Sequence, residues 1–143
     1  MKYSKKFIIL SLVAILSFPV FGVGTAFAAN TGDTGFRFSM GGNGSDATNA
    51  RAKQNSSPVY IKVESKSMPS HHVYVDAAWC GNNKTVKGVA TVKGYGSYNI
   101  QTWVYEHGYR SAILTTWNHT SGYASIGGVW SPDSAGRYPV ING

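Results

Sequence analysis

The tetrapeptide Gly-Tyr-x-Ser recurs in register near the C-terminus, at Gly94-Tyr95-Gly96-Ser97, Gly108-Tyr109-Arg110-Ser111 and Gly122-Tyr123-Ala124-Ser125, each copy fourteen residues after the last. A tryptophan closes each unit, at Trp103, Trp117 and Trp130. With 17 Gly and 9 Tyr in the chain, composition alone gives about one Gly-Tyr pair, so the recurrence is a pattern that the fold must use. The turn glycines Gly81, Gly94, Gly108 and Gly122 stand 13, 14 and 14 residues apart. A strand of about eight residues and a turn of about five fill that spacing. Connections this short cannot carry parallel crossovers, which predicts consecutive strands paired antiparallel as a meander. Six or seven strands with apolar side chains on both faces predict an all-β, two-sheet sandwich, with a small closed barrel as the alternative. A β-solenoid fits less well, because the N-terminal half lacks the repeat.

Side-chain alternation supports the same class. Val59, Ile61 and Val63 oppose Tyr60, Lys62 and Glu64, and Val73, Val75, Ala77 and Trp79 oppose Tyr74, Asp76 and Ala78. Further strands are predicted over residues 85–93, 98–105, 111–117 and 125–130. No stretch holds a 3.6-residue apolar period, so essentially no helix is expected. Residues 29–57 are rich in Gly, Ser, Asn, Thr and Ala and include Gly41-Gly42-Asn43-Gly44-Ser45. They read as a mobile or loop-like segment with one short strand, where Phe36, Phe38 and Met40 alternate with Arg37 and Ser39. The β-domain itself is expected over residues 58–143.

The N-terminus reads as a secretory leader. Lys2, Lys5 and Lys6 precede an uncharged stretch from Phe7 to Phe27, and Ala26-Phe27-Ala28 supplies small residues at the cleavage positions. An uncleaved anchor is the competing reading, since about 20 apolar residues span a bilayer. Pro19, Gly22 and Gly24 interrupt the stretch, which favours cleavage after Ala28, with no stable transmembrane anchor left behind. Loss of the three lysines lowers the net charge from +7 to +4. A secreted or cell-wall-associated protein with that surplus is suited to an anionic envelope. The basic residues form no block. Lys53, Lys62, Lys66, Lys84, Lys87 and Lys93 read as scattered solubilising charges, and nucleic acid is not an expected partner. Cys80 is the one cysteine, which excludes an intrachain disulfide; it reads as a small buried residue at a strand end.

Aromatic side chains carry the strongest functional signal. A flat ring with an apolar body and a polar tip can stack on a sugar face or sit at an interface, although strands also favour aromatics for packing alone. Trp103 and Tyr105 are the best surface pair, because Ile100, Thr102 and Val104 fill the opposite side of their segment. Trp117 and Tyr109 complete the candidate ligand-binding set. Alternate turns of a meander lie at opposite ends of a sheet, so Tyr95 and Tyr123 should share one end and Tyr109 the other. Adjacent His71 and His72 point to opposite faces and do not chelate one metal, His107 has the same difficulty beside Glu106, and no cofactor or metal is expected. Glu106 with Asp76 or a histidine is the pair a wall-active hydrolase would use, but no spacing favours it. A Gly-x-Ser-x-Gly elbow is absent. Trp130-Ser131-Pro132-Asp133-Ser134-Ala135-Gly136 reads as a strand end and turn, with Asp133 and Ser134 bonding amides. The Asn-x-Ser/Thr sequons at Asn43, Asn55, Asn83 and Asn118 read as incidental.

The positions Lys93-Gly94, Gly96, Tyr98, Glu106, Gly108-Tyr109 and Gly128-Val129-Trp130-Ser131-Pro132-Asp133-Ser134 resemble a family of small secreted proteins from Gram-positive bacteria without an assigned biochemical function. More loosely, residues 59–138 are similar to the lactococcin-972-type bacteriocins, although this chain is longer and its Gly-rich segment before Val59 has no counterpart there. That resemblance implies a small β-sandwich acting on the cell envelope. The expected function is therefore a secreted, non-enzymatic module at the bacterial surface, bacteriocin-like or envelope-binding, with a cell-wall polymer or lipid-linked wall precursor as partner. The alternatives are the small hydrolase and a self-associating structural protein joined through exposed edge strands.

Overall fold

The computed structural model describes residues 29–143, so the leader expected over residues 1–28 lies outside the described residues. The strands are β1 (Thr34–Met40), β2 (Ser45–Ala47), β3 (Arg51–Ala52), β4 (Val59–Lys66), β5 (His71–Ala77), β6 (Ala90–Val92), β7 (Gly96–Ile100), β8 (Ser111–Trp117) and β9 (Ala124–Ser131). One sheet runs β1-β9-β4-β7; the other runs β2-β8-β5-β6, with β3 also pairing β8. All strand pairs are antiparallel. This is the all-β sandwich that the alternation predicts, and it does not close into a barrel.

The meander is overturned. Among the described strands, only β5 and β6 are neighbours both in sequence and in a sheet. Elsewhere the short connections carry the chain from one sheet to the other, as between β1 and β2, β4 and β5, and β8 and β9. Short loops forbid a parallel crossover within one sheet, but they do not forbid a step between two sheets stacked about 10 Å apart. Each strand then finds its antiparallel partner far away in sequence: Thr34 opposes Trp130, and His72 opposes Trp117.

The core lies where the inward side chains of both sheets meet. Phe36, Phe38 and Met40 from β1, Val59, Ile61 and Val63 from β4, and Ala124, Ile126 and Trp130 from β9 face Val73 and Val75 from β5, Val92 from β6 and Leu114 from β8. Each fully buried aliphatic contributes about 1.5–3 kcal/mol. Gly128 sits in the middle of β9 opposite both Phe36 and Val63. A Cβ there would strike the Lys62 carbonyl, so glycine permits the register shift that β4 makes between Val63 and Ser65.

Two predicted strands shorten. Residues 85–93 reduce to β6 after a 3-10 turn at Val86–Gly88, in which Lys87 takes φ 62°. The strand expected over residues 98–105 ends at Ile100. There Thr102 Oγ1 accepts the Val104 amide at 3.0 Å, so a side chain replaces a ladder partner and the chain coils into a turn. Thr102 and Val104 remain buried while Trp103 is exposed.

Residues 29–57 depart most from expectation, supplying three strands rather than one and joining both sheets. Asn43 takes φ 55°, its amide donates to Thr120 O at 3.0 Å, and Gly42 packs on Ser121, where a Cβ would meet the backbone carbonyl. Lys53, expected among the surface charges, is buried. Its Nζ donates to Asp133 Oδ1 at 2.8 Å, Ser57 O at 2.6 Å and Pro132 O at 2.8 Å. Asp133 Oδ2 accepts the amides of Asn30 at 2.7 Å and Gln54 at 3.0 Å. Burial pushes Asp133 up, but Lys53 and those two amides outweigh it and hold the carboxyl below its ordinary value. Burial lowers Lys53, and Asp133 offsets part of that. The Trp130–Asp133 turn thus clamps the N-terminal segment to the sandwich, which its composition alone does not reveal. Three sequons also have structural duties: Asn55, Asn83 and Asn118 each accept, through Oδ1, the amide two residues on.

Candidate functional site

The two ends of the sandwich are set by β4 and β5. Val63 opposes Gly96 and Lys66 opposes Ile126, so the Gly94 and Gly122 turns lie beside the C-terminal end of β4. Ala77 opposes Ala112, which places the Gly108 turn and Tyr109 at the other end. The expected separation of the three tyrosines therefore holds, although the strands that produce it are not consecutive neighbours.

Trp103, Tyr105 and Tyr109 gather at this second end, on or just after one turn in which the His107 amide donates to Trp103 O at 2.9 Å and the Gly108 amide to Tyr105 O at 3.0 Å. Trp103 is 47% exposed and stacks on His107, with centroids 6.2 Å apart and planes 13° from parallel. Tyr105 is half-buried beneath Arg110, whose Cζ lies 4.1 Å from the ring centroid. Arg110 Nη1 also donates to the Tyr105 and Tyr109 carbonyls at 3.2 and 2.8 Å, which fixes the guanidinium over the ring. Lys84 Nζ stands 5.4 Å from the centroid of Tyr109. Such cation–π contacts contribute about 0.5–1 kcal/mol each at exposed sites, so they orient the surface more than they stabilise the fold.

Trp79 and Cys80 join this end against expectation. The alternation of β5 placed Trp79 inward with Val73, Val75 and Ala77, and Cys80 buried at a strand end. Ala78 instead takes φ 65° and the Trp79 amide folds back to Ala77 O at 2.7 Å, which turns the chain outward. Trp79 is 59% exposed and meets Tyr109 edge-on at 6.2 Å; Cys80 is exposed beside it. A positive φ at an alanine leaves no mark in the sequence, so neither placement was readable. Lys84 and Arg110 carry no mark in the sequence either: Lys84 is remote in the chain from Tyr109, and Arg110 meets Tyr105 only because the turn folds back on itself.

Two grooves flank the turn. One, of 290 Å³, runs between Trp103 and Glu106 on one wall and Ser56 and Pro58 on the other. The second, of 330 Å³, is lined by Tyr105, Arg110, Ala52, Lys53 and Gln54. Exposed rings beside fixed cations suit a ligand with flat apolar faces and anionic substituents. Glu106 is exposed on the turn, and its groove holds no second carboxylate. Asp76 is buried, accepting Gly81 N at 2.7 Å and Thr115 Oγ1 at 2.9 Å.

Trp117, the fourth candidate ligand residue, does not belong to this cluster. It closes β8 at the opposite end, 52% exposed, and stacks on His119 at 5.3 Å, while His72 meets His119 edge-on at 5.2 Å. His71 points the other way, into the core, as adjacent strand residues must; burial lowers its pKa, with a smaller contribution from Lys66. Among the described residues no three His, Cys, Asp or Glu side chains gather within reach of one metal ion. Trp130, the third tryptophan of the repeat, is fully buried.

The fold and site define a two-sheet β-sandwich with an aromatic, cationic surface concentrated at one end. Residues 24–134 match the family described as Protein of unknown function (DUF2712), and the chain belongs to that family. No curated protein and no solved structure matches it.

Proposed function

We propose that the protein is a secreted, non-catalytic module that binds an anionic sugar-containing polymer or lipid-linked precursor of the bacterial envelope through the Trp103 end. The observation that carries this reading is the convergence of exposed Trp79 and Trp103 and half-buried Tyr105 and Tyr109 with Lys84 and Arg110 on one turn-rich surface. Rings supply stacking area and the two cations supply attraction for phosphate or carboxylate groups along the polymer. Co-sedimentation of the purified protein with isolated Gram-positive cell walls tests it. Binding should weaken with salt and with Trp103→Ala or Arg110→Ala, and Trp117→Ala should leave it intact. Retention of full binding by a Trp103→Ala, Arg110→Ala double variant would remove this surface from the function, and absence of binding to walls and to precursor vesicles alike would sink the proposal.

The similarity to lactococcin-972-type bacteriocins favours one biological outcome of such binding, the inhibition of related cells. Growth assays across a strain panel address that outcome separately from binding. Secretion is part of the same proposal and rests on the leader; recovery from culture supernatant of a protein whose first residue is Ala29 is the expected result.

A further inference from the structure

The two long sides of the sandwich are finished differently. On one side the segment after β9 lies across the seam between β7 and β6. The Asn99 amide donates to Pro139 O at 2.9 Å and the Ile141 amide to Asn99 O at 3.2 Å, while the Thr91 amide donates to Ile141 O at 2.9 Å and the Gly143 amide to Val89 O at 3.1 Å. An extended peptide thus pairs with both sheets and covers the core between them.

On the other side β1 faces β2 and β3 with no such segment among the described residues. The seam is held at one end by the Ser39 amide, which donates to Asp46 Oδ2 at 3.2 Å. At the other end Arg51 reaches across to Gly32 O at 2.7 Å, Trp130 O at 3.0 Å and Asn30 Oδ1 at 3.2 Å. Between them lies a groove of 510 Å³ lined by Phe36, Phe38 and Trp130, with Arg37 exposed on its rim.

Two features of this groove point to a ligand of one kind. In a regular antiparallel ladder alternate residues send their N–H and C=O groups to the same edge. β1 is regular from Thr34 to Met40, and the Ser39 amide faces Asp46 rather than β9. The amides and carbonyls of Arg37 and Gly35 therefore face the seam, where no described group pairs with them. The lining carries Arg37 and Arg51 and no carboxylate, and every hydrogen-bond partner of Arg51 is a neutral oxygen.

We propose that this seam binds an extended peptide segment of a partner protein that bears a carboxylate side chain, added as a strand to β1 at Gly35 and Arg37 with the carboxylate set against Arg37 and Arg51. Backbone pairing supplies affinity and the charge supplies selectivity. The segment at residues 139–143 does the same job at the opposite seam without the charge. A second copy of this chain is a poorer occupant, because β1 against β1 would bring two Arg37 side chains to one seam.

Fluorescence anisotropy with a labelled short peptide of alternating valine and threonine around one central glutamate tests the proposal on the purified protein. The peptide should bind, and replacing its glutamate with glutamine, or Arg37→Gln in the protein, should weaken binding about tenfold, the effect of one charge-assisted hydrogen bond. Arg37→Pro removes the outward amide from an edge strand without touching the β1–β9 ladder and should weaken binding at least as much. Exchange of the Gly35 and Arg37 amides should slow when the peptide is present. Trp103→Ala should leave peptide binding unchanged, which separates failure of this proposal from failure of the wall-binding reading. Absence of peptide binding, equal binding of the glutamate and glutamine peptides, or slow exchange at Gly35 and Arg37 in a peptide-free dimer would each overturn it.

Discussion

The two ends of the sandwich are built from the same repeat and surround it with different charges. At the Trp103 end the rings of Tyr105 and Tyr109 lie against Arg110 and Lys84, and the buried Lys53–Asp133 pair sits just beneath. At the Trp117 end the ring partners are His119 and His72, and Lys66 stands over Tyr95. A motif that fixes where the chain turns leaves open what stands beside the turn, because Lys84 and His72 come from segments distant in sequence and Arg110 and His119 occupy positions that the repeat does not specify.

Breaking the clamp should produce the largest effect. Asp133→Ala leaves the Lys53 ammonium buried without its counter-charge and should cost about 3–5 kcal/mol, read by urea denaturation. Lys53→Met should cost less, since Asp133 keeps two amide donors. At the opposite end Gly42→Ala sets a Cβ against the Ser121 backbone and should cost about 1–3 kcal/mol. If Gly42→Ala proves as damaging as Asp133→Ala, the ends are equally constrained and the contrast fails.

Acid should separate the ends further. The folded-state pKa of His71 is lowered from 6.5, so the unfolded chain binds its proton first. The stability that neutral His71 contributes is complete above pH 6.5 and declines as pH falls from there towards the lowered value. Asp133, depressed from 3.8, contributes stability that is complete above pH 3.8 and is lost as pH falls through its folded value. Stability against pH should therefore fall in two separate windows, and His71→Leu should abolish the upper one alone. A single acid transition in the wild type would contradict this assignment.

The smallest effect on stability, and the most telling on function, belongs to the exposed tryptophans. Trp103→Ala and Trp117→Ala should each change stability by about 0.5 kcal/mol or less, as surface substitutions do. Only Trp103→Ala should reduce wall binding. Equal loss in both variants would show that the ends act together.

The sequence was legible where structure is local. Alternation marks the inward residues of β1, β4 and β5, and the glycines of the repeat mark three turns. Thr102 and Val104 were read as inward and Trp103 as outward even though the segment carrying them is a turn, because side-chain preference for core or solvent survives the change of backbone. Trp103, Tyr105 and Tyr109 were singled out together and lie together. Trp117 was grouped with them and lies at the far end, Trp79 and Cys80 were placed inside and lie outside, and Lys53 was placed outside and lies inside. Each of these misplacements depends on a backbone reversal or on a partner remote in the chain.

The sequence by itself determined that the fold is of the all-β class, where the repeat turns and which strand faces are apolar, since those follow from period-2 patterning and turn chemistry acting over a few residues. Only the tertiary structure decided which strands pair, and so which Trp of three equivalent ones, Trp130, is sealed in the core while Trp103 and Trp117 meet solvent. The physical reason is that loop closure grows costlier only slowly with length, so distant strands compete almost evenly with near ones and the choice falls to the packing of two whole sheets.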